Sequence, residues 1–201
     1  FLNGLTNRLN LEGTARNTLP GISPELAIYY IYALLHSPNY RSRYSHHLSI
    51  DFPRIPLPRD LPVFDDLSRI GHRLVELHLL RASNGGDEAI TLTGDDELLV
   101  EKVSYSNKTV WINSSQTVGF RGVSEEVWAF SIGGNQVCEK WLKDRQAKGG
   151  QRPRPGRVLT VEDVTHYKKM VLSIAETIRL MEQVDDVIET HGGWPGAFAS
   201  V

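Results

Sequence analysis

The chain has 201 residues, with 22 Lys and Arg against 24 Asp and Glu, 40% hydrophobic and 23% charged side chains, and a formal charge of −2. These proportions exclude a disordered or fibrous chain and fit a globular protein with one substantial core or two small ones. The single cysteine, Cys138, excludes a disulfide framework and a zinc ribbon and fits a reducing, cytoplasmic setting, while no apolar run reaches the roughly 18–20 residues that span a bilayer, so no membrane partner is expected.

The chain starts at Phe1 without the features of a signal peptide and reads as a fragment of something longer. Residues 1–22, with Gly4, Gly13, Pro20 and Gly21, suit a linker or irregular lead-in. At Ser23-Pro24-Glu25 a capping hydroxyl, a proline at the first helical position and an acid in the first turn predict a helix. Leu26, Tyr29, Tyr30, Ala33 and Leu34 continue it at helical spacing. Pro38 restarts a short helix from Asn39 to about Ser45, and the proline-rich Asp51–Pro58 stretch forms an extended connector. Leu67, Ile70, Leu74, Leu77 and His78 mark one face of an amphipathic helix over Asp60–Arg81, stopped by Ser83-Asn84-Gly85-Gly86.

The period then changes. Leu98–Val103 and Thr109–Asn113 predict a β-hairpin about Ser106-Asn107-Lys108, with Gly119-Phe120-Arg121-Gly122 following as a strand end or loop. Ile132–Leu142 is expected to be helical, and 146–157, rich in Gly, Pro, Gln and Arg, to be a mobile loop. Thr160-Val161-Glu162-Asp163 caps the longest helix, apolar at three- and four-residue spacing from Val161 to Ile188 and closed by the Gly192-Gly193-Trp194-Pro195-Gly196 tail. The fold class is therefore α+β: a helical part at 23–82, a β region at 95–131, a helix and basic loop at 132–157, a C-terminal helix at 160–190 and a tail at 191–201, with 23–190 as one domain.

Catalytic motifs are missing. No Asp or Glu stands two residues before any of the seven lysines, as a common metal-dependent nuclease requires, and no phosphate-binding Gly-x-x-x-x-Gly-Lys, Gly-x-Ser-x-Gly or His-Glu-x-x-His occurs. The adjacent His46 and His47 have poor geometry for one metal, and Cys138, within an apolar helical pattern, suits a core thiol. The fragment is read as a non-enzyme that holds no cofactor or metal.

Charge, by contrast, is segregated: the net values are +2 over 1–81, −6 over 82–139, +6 over 140–157 and −4 over 158–201. The basic block supplies Lys140, Lys143, Arg145, Lys148, Arg152 and Arg154 as candidate ligands for phosphates, with Arg41 and Arg43 as a second, smaller group. Near the hairpin Trp111, Asn113, Gln116 and Arg121 are candidate readers of bases. The same residues also fit a solvated basic loop beside acidic neighbours, and ordinary turn chemistry.

Several phrases together resemble the C-terminal specificity (target-recognition) domain of type ISP restriction–modification enzymes. They are Tyr29–Pro38 followed by Tyr40-Arg41, Ile50–Pro56, Leu74–Leu80, Val110–Asn113, Val127–Arg145, Leu159–Asp163 and Glu176-Thr177-Ile178. The resemblance covers about residues 24–190. It implies a bacterial domain that reads a site in double-stranded DNA and positions the target adenine for an N6-adenine methyltransferase located upstream in the same polypeptide. S-adenosylmethionine, ATP and Mg²⁺ would then belong to the full-length enzyme. A rival reading makes the helical ends a docking scaffold between methyltransferase and motor domains, with little direct reading of DNA.

Overall fold

A computed structural model of the chain describes residues 4–5, 23–81, 89–148 and 155–199. Its elements in chain order are α1 (Pro24–His36), α2 (Pro38–Arg43), α3 (Ser45–Leu48), α4 (Leu61–His78), β1 (Thr91–Thr93), β2 (Ser104–Ser106), β3 (Thr109–Trp111), β4 (Gly119–Arg121), α5 (Glu125–Ala129), β5 (Ser131–Ile132), β6 (Asn135–Gln136), α6 (Val137–Lys143), α7 (Val161–Thr190) and α8 (Gly193–Gly196). The α+β class, with helices first, a small antiparallel sheet and a long C-terminal helix, is the observed one. The chain divides into two compact units, Phe1–Ala82 with Thr177–Val201, and Ser83–Glu176.

The first unit is helical. Ser23 Oγ accepts the Leu26 N–H at 3.3 Å and the Asp60 carboxylate accepts the Val63 N–H at 3.2 Å, so α1 and α4 start where capping chemistry predicts. Val63, Phe64, Leu67, Ile70, Leu74 and Leu77 of α4 are buried in one core with Ala27, Tyr30, Ala33 and Leu34 of α1. The two helices approach closely at Gly71, where a Cβ would lie 1.8 Å from the Tyr29 carbonyl oxygen, and Ser68 Oγ donates to the Leu26 carbonyl at 3.1 Å.

The end of the chain completes this core with Leu180, Val184 and Ile188 of α7 and with Ala197 and Phe198. That tail is more than a helix stop: Arg59 N–H donates to Ala197 O at 3.0 Å and Ala199 N–H to Leu57 O at 2.9 Å, which pins Phe198 into the core. Leu5 is buried in the same cluster. Ser37 caps α2 and donates its hydroxyl to Asp185, while Tyr32 OH meets His78 Nδ1 at 2.7 Å and His78 Nε2 meets Thr177 Oγ1 at 3.0 Å.

The second unit carries a sheet in the order β1-β4-β3-β2, every pair antiparallel. The hairpin between β2 and β3 turns at Asn107 and Lys108, both left-handed, as a two-residue connection that matches strand twist requires. Its first strand is not the expected Leu98–Val103. Glu101 and Lys102 both direct their N–H groups to Ile112 O, which breaks the ladder, so pairing begins at Ser104. Leu99 instead forms an isolated bridge with Val158.

A second correction concerns Ile132–Leu142. Gly133 and Gly134, both left-handed, close the small β5–β6 hairpin, and the helix α6 starts only at Val137. The N-terminal Val161 of α7 also leaves the expected apolar face, being 77% exposed in the first turn. Cys138 is buried as expected; its thiol lies 3.8 Å from Val127 O and burial pushes it up to about 12, which leaves it an inert core group.

Candidate nucleic-acid interface

Strand register sorts the sheet residues into two faces. Leu92, Phe120, Val110 and Tyr105 stand in one row across the four strands. They face the unit's core, where the Phe120 ring meets Tyr167 of α7 at 4.4 Å and Tyr105 stacks on Trp128 at 5.2 Å. Because successive side chains alternate, Thr91, Thr93, Ser104, Ser106, Thr109, Trp111 and Arg121 fall on the opposite face. Hydroxyl-bearing side chains dominate that face.

Two of the four candidate base readers therefore share this face, and a third reaches it. Trp111 is half-buried, donating Nε1–H to Ser106 Oγ at 2.8 Å, with its indole edge beside Gly119; a Cβ on Gly119 would sit 3.1 Å from that ring. Gln116, exposed and left-handed, bonds through Nε2 to Ser104 Oγ at 3.2 Å. Arg121 is exposed at the end of β4, opposite Thr91 and Thr109 in register, and forms no ion pair or side-chain hydrogen bond among the described residues.

Asn113 does different work. Its amide donates to Ser115 Oγ at 2.9 Å and Thr117 Oγ1 at 2.7 Å, and accepts from the N–H groups of Thr117 and Val118 at 3.1 and 3.2 Å. All its donor and acceptor capacity is thus committed to the loop between β3 and β4. Sequence reasoning overlooked Lys108, an exposed lysine in the β2–β3 turn whose carbonyl accepts the N–H groups of Gly122 and Val123. That pairing brings the Lys108 backbone alongside the residue that follows Arg121. The signal was present in Asn107-Lys108, which served only as a turn marker.

Among the described residues, four cations of the basic block pair with acidic neighbours. Lys140 pairs with Asp144 at 3.0 Å and Lys143 with Glu139 at 2.8 Å. Arg157 and Arg145 converge on Asp163, at 2.9 and 3.7 Å. The Arg145 guanidinium also lies 3.5 Å above the Trp141 ring and donates to Trp141 O at 2.9 Å, which makes it part of the fold. Lys148 is exposed and within electrostatic reach of Asp144. Arg152 and Arg154 lie outside the described residues. In the helical unit Arg41 donates Nε–H to Leu35 O at 2.6 Å, and the Arg43 guanidinium stands 5.9 Å from the Trp194 ring.

Asp163 is the hinge pin of this arrangement. Its carboxylate accepts from Thr160 N–H at 3.1 Å, Thr160 Oγ1 at 3.3 Å and Arg157, while its own N–H donates to Thr160 Oγ1 at 3.2 Å. This reciprocal cap starts α7. Burial pulls the carboxyl upward, but the Thr160 N–H, Arg157, the Thr160 hydroxyl and Arg145 outweigh it and hold it below the ordinary aspartate range. A depressed carboxyl contributes stability that is present above its unfolded pKa and lost as pH falls through the folded one. Asp163→Asn should cost about 2 kcal/mol near neutral pH and flatten the acid side of the stability profile, as urea titrations at several pH values would measure. An unchanged acid limb would remove Asp163 from this role.

Among the described residues no group of three or more His, Cys, Asp and Glu is placed to hold a metal ion, and no helix is long and apolar enough to cross a membrane. A family model described as the type ISP C-terminal specificity domain matches residues 3–183. Among solved structures, the chain is similar to the ATP-dependent type ISP restriction-modification enzyme LlaBIII bound to DNA, with 22% identity and a TM-score of 0.63 over 84% of this chain and 11% of that one. It is also similar to a nuclease-deletion mutant of the type ISP enzyme LlaGI in complex with a DNA substrate mimic, at 22% identity and a TM-score of 0.60 over 84% of this chain and 14% of that one. A DrdV–DNA complex gives 21% identity and a TM-score of 0.58 over 82% and 18%. At these identities the likeness shows the fold, and the chain spans less than a fifth of each of these structures. No curated protein sequence matches it.

Proposed function

Because this chain belongs to the family of type ISP C-terminal specificity domains, we propose that it recognises a specific site in double-stranded DNA as part of a restriction–modification enzyme. In this reading it positions the target adenine for an N6-adenine methyltransferase carried elsewhere in the same polypeptide. The observation that carries it is the polar outer face of the sheet, where Arg121 stands exposed without an ion pair among the described residues, beside hydroxyl-bearing strands and the Trp111 indole. A two-stranded β-ribbon fits the major groove of B-DNA, and a free guanidinium fork matches the O6/N7 edge of guanine. Lys108 in the adjoining turn suits a phosphate.

S-adenosylmethionine, ATP and Mg²⁺ would serve the remainder of such an enzyme. The residues present do not fit them: the sequence has no phosphate-binding glycine motif, and no metal-ligand cluster occurs among the described residues. The docking-scaffold reading needs open apolar faces on α4 or α7; Leu67, Leu74 and Leu77 of α4 and Leu180, Val184 and Ile188 of α7 are buried within the helical unit, and only single apolar side chains along these segments, such as Leu79 and Val161, are exposed.

The test is binding of the chain to a randomised duplex library across a salt series, followed by sequencing of the retained DNA. The expected result is a single enriched motif on top of binding that weakens with salt, log K falling against log [salt] by about 0.9 per phosphate contacted. Retention with no enriched sequence would refute base reading by this chain.

A further inference from the structure

The helical unit carries an apolar protrusion that its own core does not use. Ile50 is 70% exposed and Phe52 is 87% exposed, where the chain leaves α3 and enters the proline-rich connector. Their exposure is built in by ties on both sides. Ile50 and Asp51 donate their N–H groups to His47 O at 3.1 and 2.9 Å, and Ser49 Oγ donates to His46 O at 2.7 Å. The Asp51 carboxylate accepts the Phe52 N–H at 2.8 Å and stands 3.9 Å from Arg54. Beyond it, Tyr40 OH holds Arg54 O at 2.8 Å and Tyr30 OH holds Pro56 O at 2.8 Å, with Pro53 and Pro56 restricting the backbone between. The Ile50 and Phe52 side chains thus stand together in water on a segment tied down on both sides, an apolar pair available to a partner.

The surrounding charge indicates what does. Between Tyr40 and Pro56 the charged side chains are Arg41, Arg43 and Arg54 against Asp51 alone, with His46 and His47 exposed beside them. A second copy seated symmetrically on this patch would set cations against cations. A duplex instead offers apolar sugar and base edges flanked on both sides by phosphates, and Phe and Ile are among the side chains that proteins press into its grooves.

Resting on the reading that the chain binds duplex DNA, we propose that the Ile50–Phe52 protrusion is a second DNA-contacting element. Its two apolar side chains meet groove edges while Arg43, His46, His47 and Arg54 meet the flanking phosphates. This contact is made by the helical unit and is independent of base reading by the sheet.

The experiment measures binding of the wild-type chain, Phe52→Ala, Ile50→Ala/Phe52→Ala and Arg54→Gln to a mixed-sequence 30-bp duplex over a salt series, with thermal melting of each variant. Phe52→Ala should melt like the wild type, since the ring is 87% exposed, and should bind about tenfold more weakly at every salt concentration with an unchanged salt slope. Arg54→Gln should reduce the slope by about 0.9. If the wild type binds duplex in a salt-dependent way and all three variants match it, the protrusion is no DNA contact, while the reading of the chain as a DNA binder stands. A wild-type chain that binds no duplex overturns both. Self-association of the wild type that Phe52→Ala abolishes, with DNA binding unaltered, would assign the patch to a second copy and overturn the proposal.

Discussion

Arg121→Gln is expected to lower affinity for the cognate duplex about 10- to 100-fold while changing affinity for unrelated duplex by no more than about twofold. The asymmetry follows from chemistry. A guanidinium donates two parallel hydrogen bonds to one guanine edge, whereas the shorter glutamine amide offers an unlike donor and acceptor pair that suits adenine better. Arg121 is exposed on β4 and reaches no carboxylate among the described residues, so its removal leaves the sheet's pairing with Thr91 and Thr109 in place. Competition binding with the selected motif and a scrambled duplex measures the effect. Equal losses on both duplexes would make Arg121 a phosphate ligand and shift base reading to other residues of the face.

Gly71→Ala should destabilise the helical unit by about 3 kcal/mol or more, against the usual sign of such a change. In an exposed helix interior, alanine gains about 1 kcal/mol over glycine. Here the added Cβ would fall 1.8 Å from the Tyr29 carbonyl oxygen and 2.6 Å from its carbon, both backbone atoms of α1 that no rotamer change can move. Relief requires α1 and α4 to part, and that opens the packing of Tyr30, Ala33 and Leu34 against Phe64, Leu67 and Leu74. Urea unfolding of the variant measures the loss; a change below about 0.5 kcal/mol would show that the helices do not approach this closely. Ser68→Ala, which removes only one hydrogen bond across the same contact, is the comparison and should cost about 1 kcal/mol.

Much of the helical architecture was legible because its signals are local. Ser23-Pro24, Asp60 and the Thr160–Asp163 cap each place a helix start within a residue or two of the observed one. The sheet was harder to read because its boundaries depend on distant partners. Leu98–Val103 has the composition of a strand, yet the convergence of two N–H groups on Ile112 O decides that pairing begins later. Thr91–Thr93 is too short to give a periodic signal. Gly133-Gly134 directly precedes the apolar pattern of α6, so the expected helix extends over what is a hairpin turn. For the site, the Lys140–Asp144 and Lys143–Glu139 pairs were implicit in their four-residue spacing. The capture of Arg145 and Arg157 by Asp163 was not, since it depends on how α7 meets the end of the basic loop. Charge counted by segment located the cations without revealing their partners, and it passed over Arg121, which stands in a segment of net −6.

The helical unit is assembled from both ends of the chain, with the whole of Ser83–Glu176 lying between them in sequence. During synthesis α1 and α4 leave the ribosome before the inserted unit, while Val184, Ile188, Ala197 and Phe198, which close their core, emerge only after it. The inserted unit has all its parts once Glu176 has emerged, so it can complete its fold while the earlier-made helices still wait for their covering segment. A nascent chain that has reached only Glu176 would thus carry a complete inserted unit and a helical core still lacking its covering segment.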